Sequence, residues 1–156
     1  MKRISAFSCA LLLLAGAAWA QGSPRGKAEV TLNGDSIAID YGRPSLRGRD
    51  MLGRAEVGQT WRMGADSATT LTTEADLSFG PVELKAGKYT LTAKKVEAGK
   101  WHLIASGAEI HEIPLQASEL SESVEIFTIE LSGEAGSGAF KMIWGITALT
   151  APFSAN

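Results

Sequence analysis

The chain has 156 residues, 45% hydrophobic and 21% charged, with a formal net charge of −2. That length suits one domain whose core needs no disulfides, and the acidic balance argues against nucleic acid or an anionic membrane as a general partner. The only cysteine, Cys9, sits in an apolar leader, which excludes disulfides, thiol catalysis and cysteine-held metals from whatever follows it.

Lys2 and Arg3, an apolar run from Ala6 to Ala17 and the small residues Ala18 and Ala20 make residues 1–20 a secretory signal peptide, cut before Gln21. The run is shorter than the ~20 apolar residues that cross a hydrocarbon core. Removing the first 20 of 156 residues leaves 136, and takes 15 basic residues to 13 against 17 acidic, a net charge of −4. No cysteine follows the cut, so a lipid anchor there is not expected. The expected product is periplasmic or secreted and soluble, with no stable membrane insertion after signal cleavage.

Residues 21–27, rich in Gly, Ser and Pro, form a flexible leader, and residues 28–156 a single domain. From Ala28 to Tyr41 the pattern is a β-hairpin. Val30 and Leu32, then Ile37, Ile39 and Tyr41, alternate with polar or small residues around Asn33-Gly34, which tolerate the positive φ of a primed turn. Gly42 to Gln59 shows no period and holds Pro44 and four glycines, a long loop. Ordering it needs packing of Leu46, Met51, Leu52 and Val57, or a partner. Thr60–Met63, Thr69–Thr73 and Leu77–Leu84 read as short strands, the last broken at Gly80-Pro81. Tyr89–Ala93 and Trp101–Ala105 alternate as longer ones. Residues 106–123 fit neither helix nor strand clearly, and Pro114 interrupts any long helix. Val124–Leu131 and Phe140–Ile146 alternate again across the glycine-rich turn Gly133–Gly138. The pattern predicts an all-β domain: an antiparallel β-sandwich or partly open barrel with a long Arg-rich loop.

Five of the seven arginines fall between Arg43 and Arg62. Guanidinium groups bind carboxylate or phosphate through paired hydrogen bonds, so a cluster on an acidic protein suggests an anion site. The competing reading is that Asp50, Glu56 and Asp66 neutralise the cluster and simply fix the loop. His102 and His111 lack a metal-ligand spacing, and no nucleophile elbow or phosphate loop is present. Neither a metal nor a cofactor is expected. Trp61, Trp101 and Trp144 fit a core better than a sugar-binding face.

The blocks Tyr41-Gly42-Arg43-Pro44-Ser45 with Gly48-Arg49, then Trp61-Arg62, Gly64-Ala65 and Ala68-Thr69-Thr70, resemble the hallmark of the bacterial family called domain of unknown function 2911. Ala86-Gly87-Lys88-Tyr89, Trp101–Ile104 and the strand holding Trp144 are similar to that family's later motifs. The likeness runs from about Val30 to Pro152 and implies an exported β-rich domain with no established activity. Where the family often reads Asn-Glu, this chain has Asp66-Ser67, so an acidic role carried by the family's glutamate is either missing here or moved to Asp66. Residues 106–123 are shorter than the family's usual middle insertion.

Three readings follow. The first is a non-enzymatic exported binding module, in which Arg43, Arg47, Arg49 and Arg62 supply donors, Asp66 orients them and Trp61 forms an apolar wall for an anionic or polyhydroxy small molecule or a cell-envelope component. The second is a hydrolase with Asp66 or His102 as base. The third is a structural module whose arginines are paired internally.

Overall fold

The structure, a computed structural model, describes residues 22–156. The expected signal peptide, residues 1–20, and its cleavage site before Gln21 lie outside the described residues.

All regular elements among the described residues are strands: β1 (Arg25–Leu32), β2 (Asp35–Gly42), β3 (Thr60–Trp61), β4 (Thr69–Thr73), β5 (Leu77–Phe79), β6 (Val82–Leu84), β7 (Gly87–Glu97), β8 (Lys100–Ser106), β9 (Ile110–Glu134) and β10 (Ser137–Ala155). They form one antiparallel sheet in the order β1-β2-β4-β7-β8-β9-β10-β5-β6, with β3 beside β7. The sheet curls until β1 contacts β9, but does not close into a barrel. This is the antiparallel sandwich or open barrel that the alternation predicts.

The tight turns follow from residue chemistry. Asn33 (φ 54°) and Gly34 (φ 96°) join β1 to β2, while Ala135 (φ 47°) and Gly136 (φ 79°) join β9 to β10. Both have the two successive positive φ angles of a primed hairpin turn, whose twist matches that of the flanking strands. β1 starts at Arg25, inside the stretch read as a leader, because Arg25–Lys27 pair in register with Gly42–Asp40. The ambiguous residues 106–123 become the end of β8 at Ser106, a short loop and the first half of β9. Pro114 fits there because β9 pairs only with β8 before Gln116, and a strand edge tolerates a residue without an N–H.

Alternation also decides burial. Ile37, Ile39 and Tyr41 of β2 and Tyr89, Leu91 and Ala93 of β7 point inward, as do Trp101, Leu103 and Ala105 of β8. Phe127 is fully buried, with its ring centroid 5.6 Å from Tyr41, 5.1 Å from Trp61 and 5.6 Å from Trp144. Trp61 also stacks on Trp144 at 5.4 Å. The Tyr41 hydroxyl donates to Ile129 O at 3.2 Å, fastening β2 to β9 across the core. The threonines of β4 divide by face. Thr69 and Thr73 are buried with their hydroxyls bonded to Met63 O and Ala75 O, while Thr70 and Thr72 face outward. A buried hydroxyl needs such a partner.

The loop after β2 is ordered by packing. Pro44 O accepts from Phe127 N at 2.9 Å and Leu46 N donates to Glu125 O at 2.9 Å, so Ser45 bridges to Ile126 of β9. Leu46 and Leu52 are buried and Met51 is partly so. Val57 contributes nothing to this packing and is 60% exposed. It sits in a turn held from the other side, where Gly58 N donates to Lys95 O at 2.7 Å.

Candidate functional site

Glycines set the geometry of the motif region. A Cβ on Gly42 would lie 2.2 Å from Ala65 O, and one on Gly64 (φ +135°) 2.9 Å from Gly42 O. The turn from Arg62 to Asp66 therefore lies directly on the end of β2, at a distance only glycines permit. Met63 (φ 51°) and Asp66 (φ 63°) complete this bend. The Arg62 guanidinium donates to Asp66 O, and the Asp66 carboxylate accepts from Ser23 N at 2.6 Å. Both side chains fasten the turn.

Arg43 is likewise built into the frame. Its amide donates to Pro24 O at 2.8 Å and its guanidinium to Thr128 Oγ1 at 3.5 Å. Its methylenes lie over Gly26, where a Cβ would come within 2.5 Å of Arg43 Cδ. Arg47 (φ 51°) is exposed, and its amide donates to Glu125 Oε1 at 2.9 Å. The proposed set therefore does not converge: Arg43 reaches the Thr128 hydroxyl, Arg62 and Asp66 bond backbone groups, and Arg49 and Trp61 line a common hollow.

That hollow belongs to a cleft at one end of the sandwich. It has a volume of about 270 Å³ and runs between Arg49–Ala55 of the loop, Gln59, Trp61 and Trp101. It adjoins a second hollow of about 450 Å³, sharing Leu52 and Trp101 with it. The second is bounded by Lys95, Gly99, Ala117–Glu119 of β9 and Thr147 of β10. Trp101, only 3% exposed, is a floor of the cleft rather than a free platform. Clefts with an apolar floor and few polar groups, in the mouths of barrels, are the usual places for small ligands.

Polar groups in the cleft are of two kinds. Asp50 Oδ1 accepts from Gly53 N at 2.8 Å, and Lys95 Nζ donates to Ala55 O at 2.8 Å, so both shape the loop. Arg49 spends Nε on Leu46 O at 3.0 Å, leaving its two terminal nitrogens. Arg54 and Glu119 have no side-chain partner among the described residues. Among those residues the ion pairs join other groups, and none involves an arginine from Arg43 to Arg62. Neutralisation of the cluster by Asp50, Glu56 and Asp66 is therefore not what the structure has.

Sequence reasoning named Arg49 and Trp61 but missed Arg54 and Glu119. Arg54 carried the same signal as its neighbours, a guanidinium on the loop. Glu119 carried none, because the segment holding it had no legible period.

Displaced ionisations occur at exposed pairs on the outer surface. The hydrogen bond from Lys85 and that from Ala86 N–H hold Asp76 below the usual carboxylate range, and Asp76 in turn raises Lys85. His102 Nδ1 lies 3.0 Å from Glu112 Oε2, and this contact lowers the Glu112 pKa. His102, weighed as a base, lines neither half of the cleft. Among the described residues no three His, Asp or Glu side chains are grouped to hold a metal ion.

A protein-family profile described as "Protein of unknown function (DUF2911)" matches residues 23–153. No curated protein and no solved structure shows a significant match to the chain. The chain belongs to the DUF2911 family.

Proposed function

From that membership and this geometry, we propose that the protein is an exported, non-enzymatic binding module whose end cleft takes a small anionic ligand or an anionic group of a cell-envelope component. Export rests on the leader sequence. The observation that carries the binding reading is that Arg49 and Arg54 border one hollow beside Trp61 with their terminal nitrogens uncommitted to carboxylates. Unsatisfied guanidinium groups over an apolar floor favour a planar anion that can accept paired hydrogen bonds. The arginines that define the sequence motif serve a different purpose, since the Arg43 guanidinium turns to the Thr128 hydroxyl and that of Arg62 to the Asp66 carbonyl, away from this cleft.

The test is a thermal-shift panel of small anions and sugar acids on wild type and on Arg54→Ala. A ligand present at about tenfold its Kd raises stability by ~1.4 kcal/mol, which for a domain of this size is about 3–5 °C in Tm. Wild type should show this with at least one anion, and Arg54→Ala should lose most of it while melting at the same temperature alone. No shift with any anion, or an undiminished shift in Arg54→Ala, contradicts the reading.

A further inference from the structure

The larger hollow is bordered by something a small anion does not need. Pairing of β8 with β9 stops at Trp101↔Leu115, whereas β10 follows β9 from Thr150↔Gln116 to Thr147↔Glu119. From Gln116 onward β9 therefore has one paired edge and one edge without a strand, until Ser45 bridges to Ile126. Ala117, Ser118 and Glu119 are all exposed, and all three line the hollow. Side chains of successive strand residues point to opposite faces, so a hollow touched by all three is faced by the strand's edge. Such an edge presents N–H and C=O groups to an incoming extended chain.

The charges match the same occupant. Guanidinium groups stand in one half of the cleft, at Arg49 and Arg54, and an uncommitted carboxylate in the other, at Glu119, with Leu52 and Trp101 between them. A sugar acid would use the arginines but would leave the strand edge unanswered. A short peptide answers all three features. Resting on the anion-binding reading above, we propose that the ligand is a short extended peptide with free ends. Its carboxylate lies at Arg49 and Arg54, its main chain runs beside Ala117–Glu119, and its amino group meets Glu119.

The experiment follows backbone amide signals of the ¹⁵N-labelled protein during titration with a pool of random-sequence tetrapeptides. The pool is used with free ends, amidated at the C-terminus, or acetylated at the N-terminus, and galacturonate is titrated in parallel. Free-ended peptides should move the amides of Ala117–Glu119 and of Met51–Ala55. Amidation and acetylation should each weaken binding about tenfold, as expected for losing one charge-assisted contact. The acetylation penalty should disappear in Glu119→Gln, and the amidation penalty in the double variant Arg49→Ala/Arg54→Ala. If galacturonate gives Arg54-dependent shifts and the peptides give none, the peptide is wrong and the anion site stands. If neither gives shifts, both readings fall. Peptide shifts indifferent to both caps would also overturn the proposal.

Discussion

Arg43 and Arg62 flank Arg49 and Arg54 in the chain, yet the two pairs live in different surroundings. The outer pair faces the protein itself, Arg43 toward Thr128, with its Nε buried and without a partner among the described residues, and Arg62 toward the Asp66 carbonyl, beside glycines that let the backbone close up. The inner pair stands on a loop held mainly by other groups, Leu52 from below and Lys95 from the side; Arg49 gives Nε to Leu46 O, and the terminal nitrogens of both arginines are left over. Residue type alone does not separate a fastening arginine from a binding one. What separates them is whether the loop they stand on needs them for its own order.

The comparison breaks most directly at the aromatic cluster, on which both regions rest. Phe127→Ala should cost about 3–5 kcal/mol, since a fully buried ring touching three others leaves a cavity the strands cannot refill. Chemical denaturation would measure it, and a loss under 1 kcal/mol would mean the cluster is not a support. Gly42→Ala comes next. Its added methyl meets a backbone carbonyl rather than a flexible side chain, and the expected loss is about 1–3 kcal/mol or more. Tyr41→Phe, which removes only the hydroxyl bonded to Ile129 O, should lose about 0.5–1.5 kcal/mol.

These three positions show how far the sequence is legible. Tyr41 and Phe127 announce themselves through period-two alternation, which is a local property, and residue chemistry marks the turns at Asn33-Gly34 and within Gly133–Gly138 just as locally. The use of Gly42 depends on Ala65, far along the chain, and no local pattern carries that. The same holds for the site. Arg49 and Trp61 were readable as candidates by chemistry. That Arg43 turns to Thr128 and Arg62 and Asp66 to backbone groups, and that Glu119 faces the cleft across from Arg54, depends on where the sheet curls. Residues 106–123 were opaque because the alternation is short, with Ile113 and Leu115 buried, and from Gln116 to Glu119 β9 is exposed on both faces.

Smaller effects sharpen the contrast. Arg54→Ala should leave stability within about 0.5 kcal/mol of wild type, as for exposed residues without partners, while losing most of the anion-induced shift. On the outer surface, Asp76 offers a check through pH. Its pKa is lowered in the folded state by Lys85 and by Ala86 N–H, so its contribution is present above the unfolded value, about 3.9. That contribution is lost as pH falls through the folded value. Melting curves of wild type between neutral pH and about pH 3 should steepen at the acid end, and Asp76→Asn should flatten that limb. An unchanged acid limb would show that the contacts of Asp76 add nothing.

The account turns on the division between the two pairs of arginines, and one paired measurement addresses it. Arg43→Ala and the double variant Arg49→Ala/Arg54→Ala are melted side by side, each with and without the anion that most stabilises wild type. Arg43→Ala should melt lower and keep the ligand-induced rise, whereas the double variant should lose the rise while melting only slightly below wild type, by about the 0.5–1.5 kcal/mol of the bond from Arg49 Nε to Leu46 O. The reverse pattern, a ligand response that follows Arg43 and survives without Arg49 and Arg54, would contradict the account.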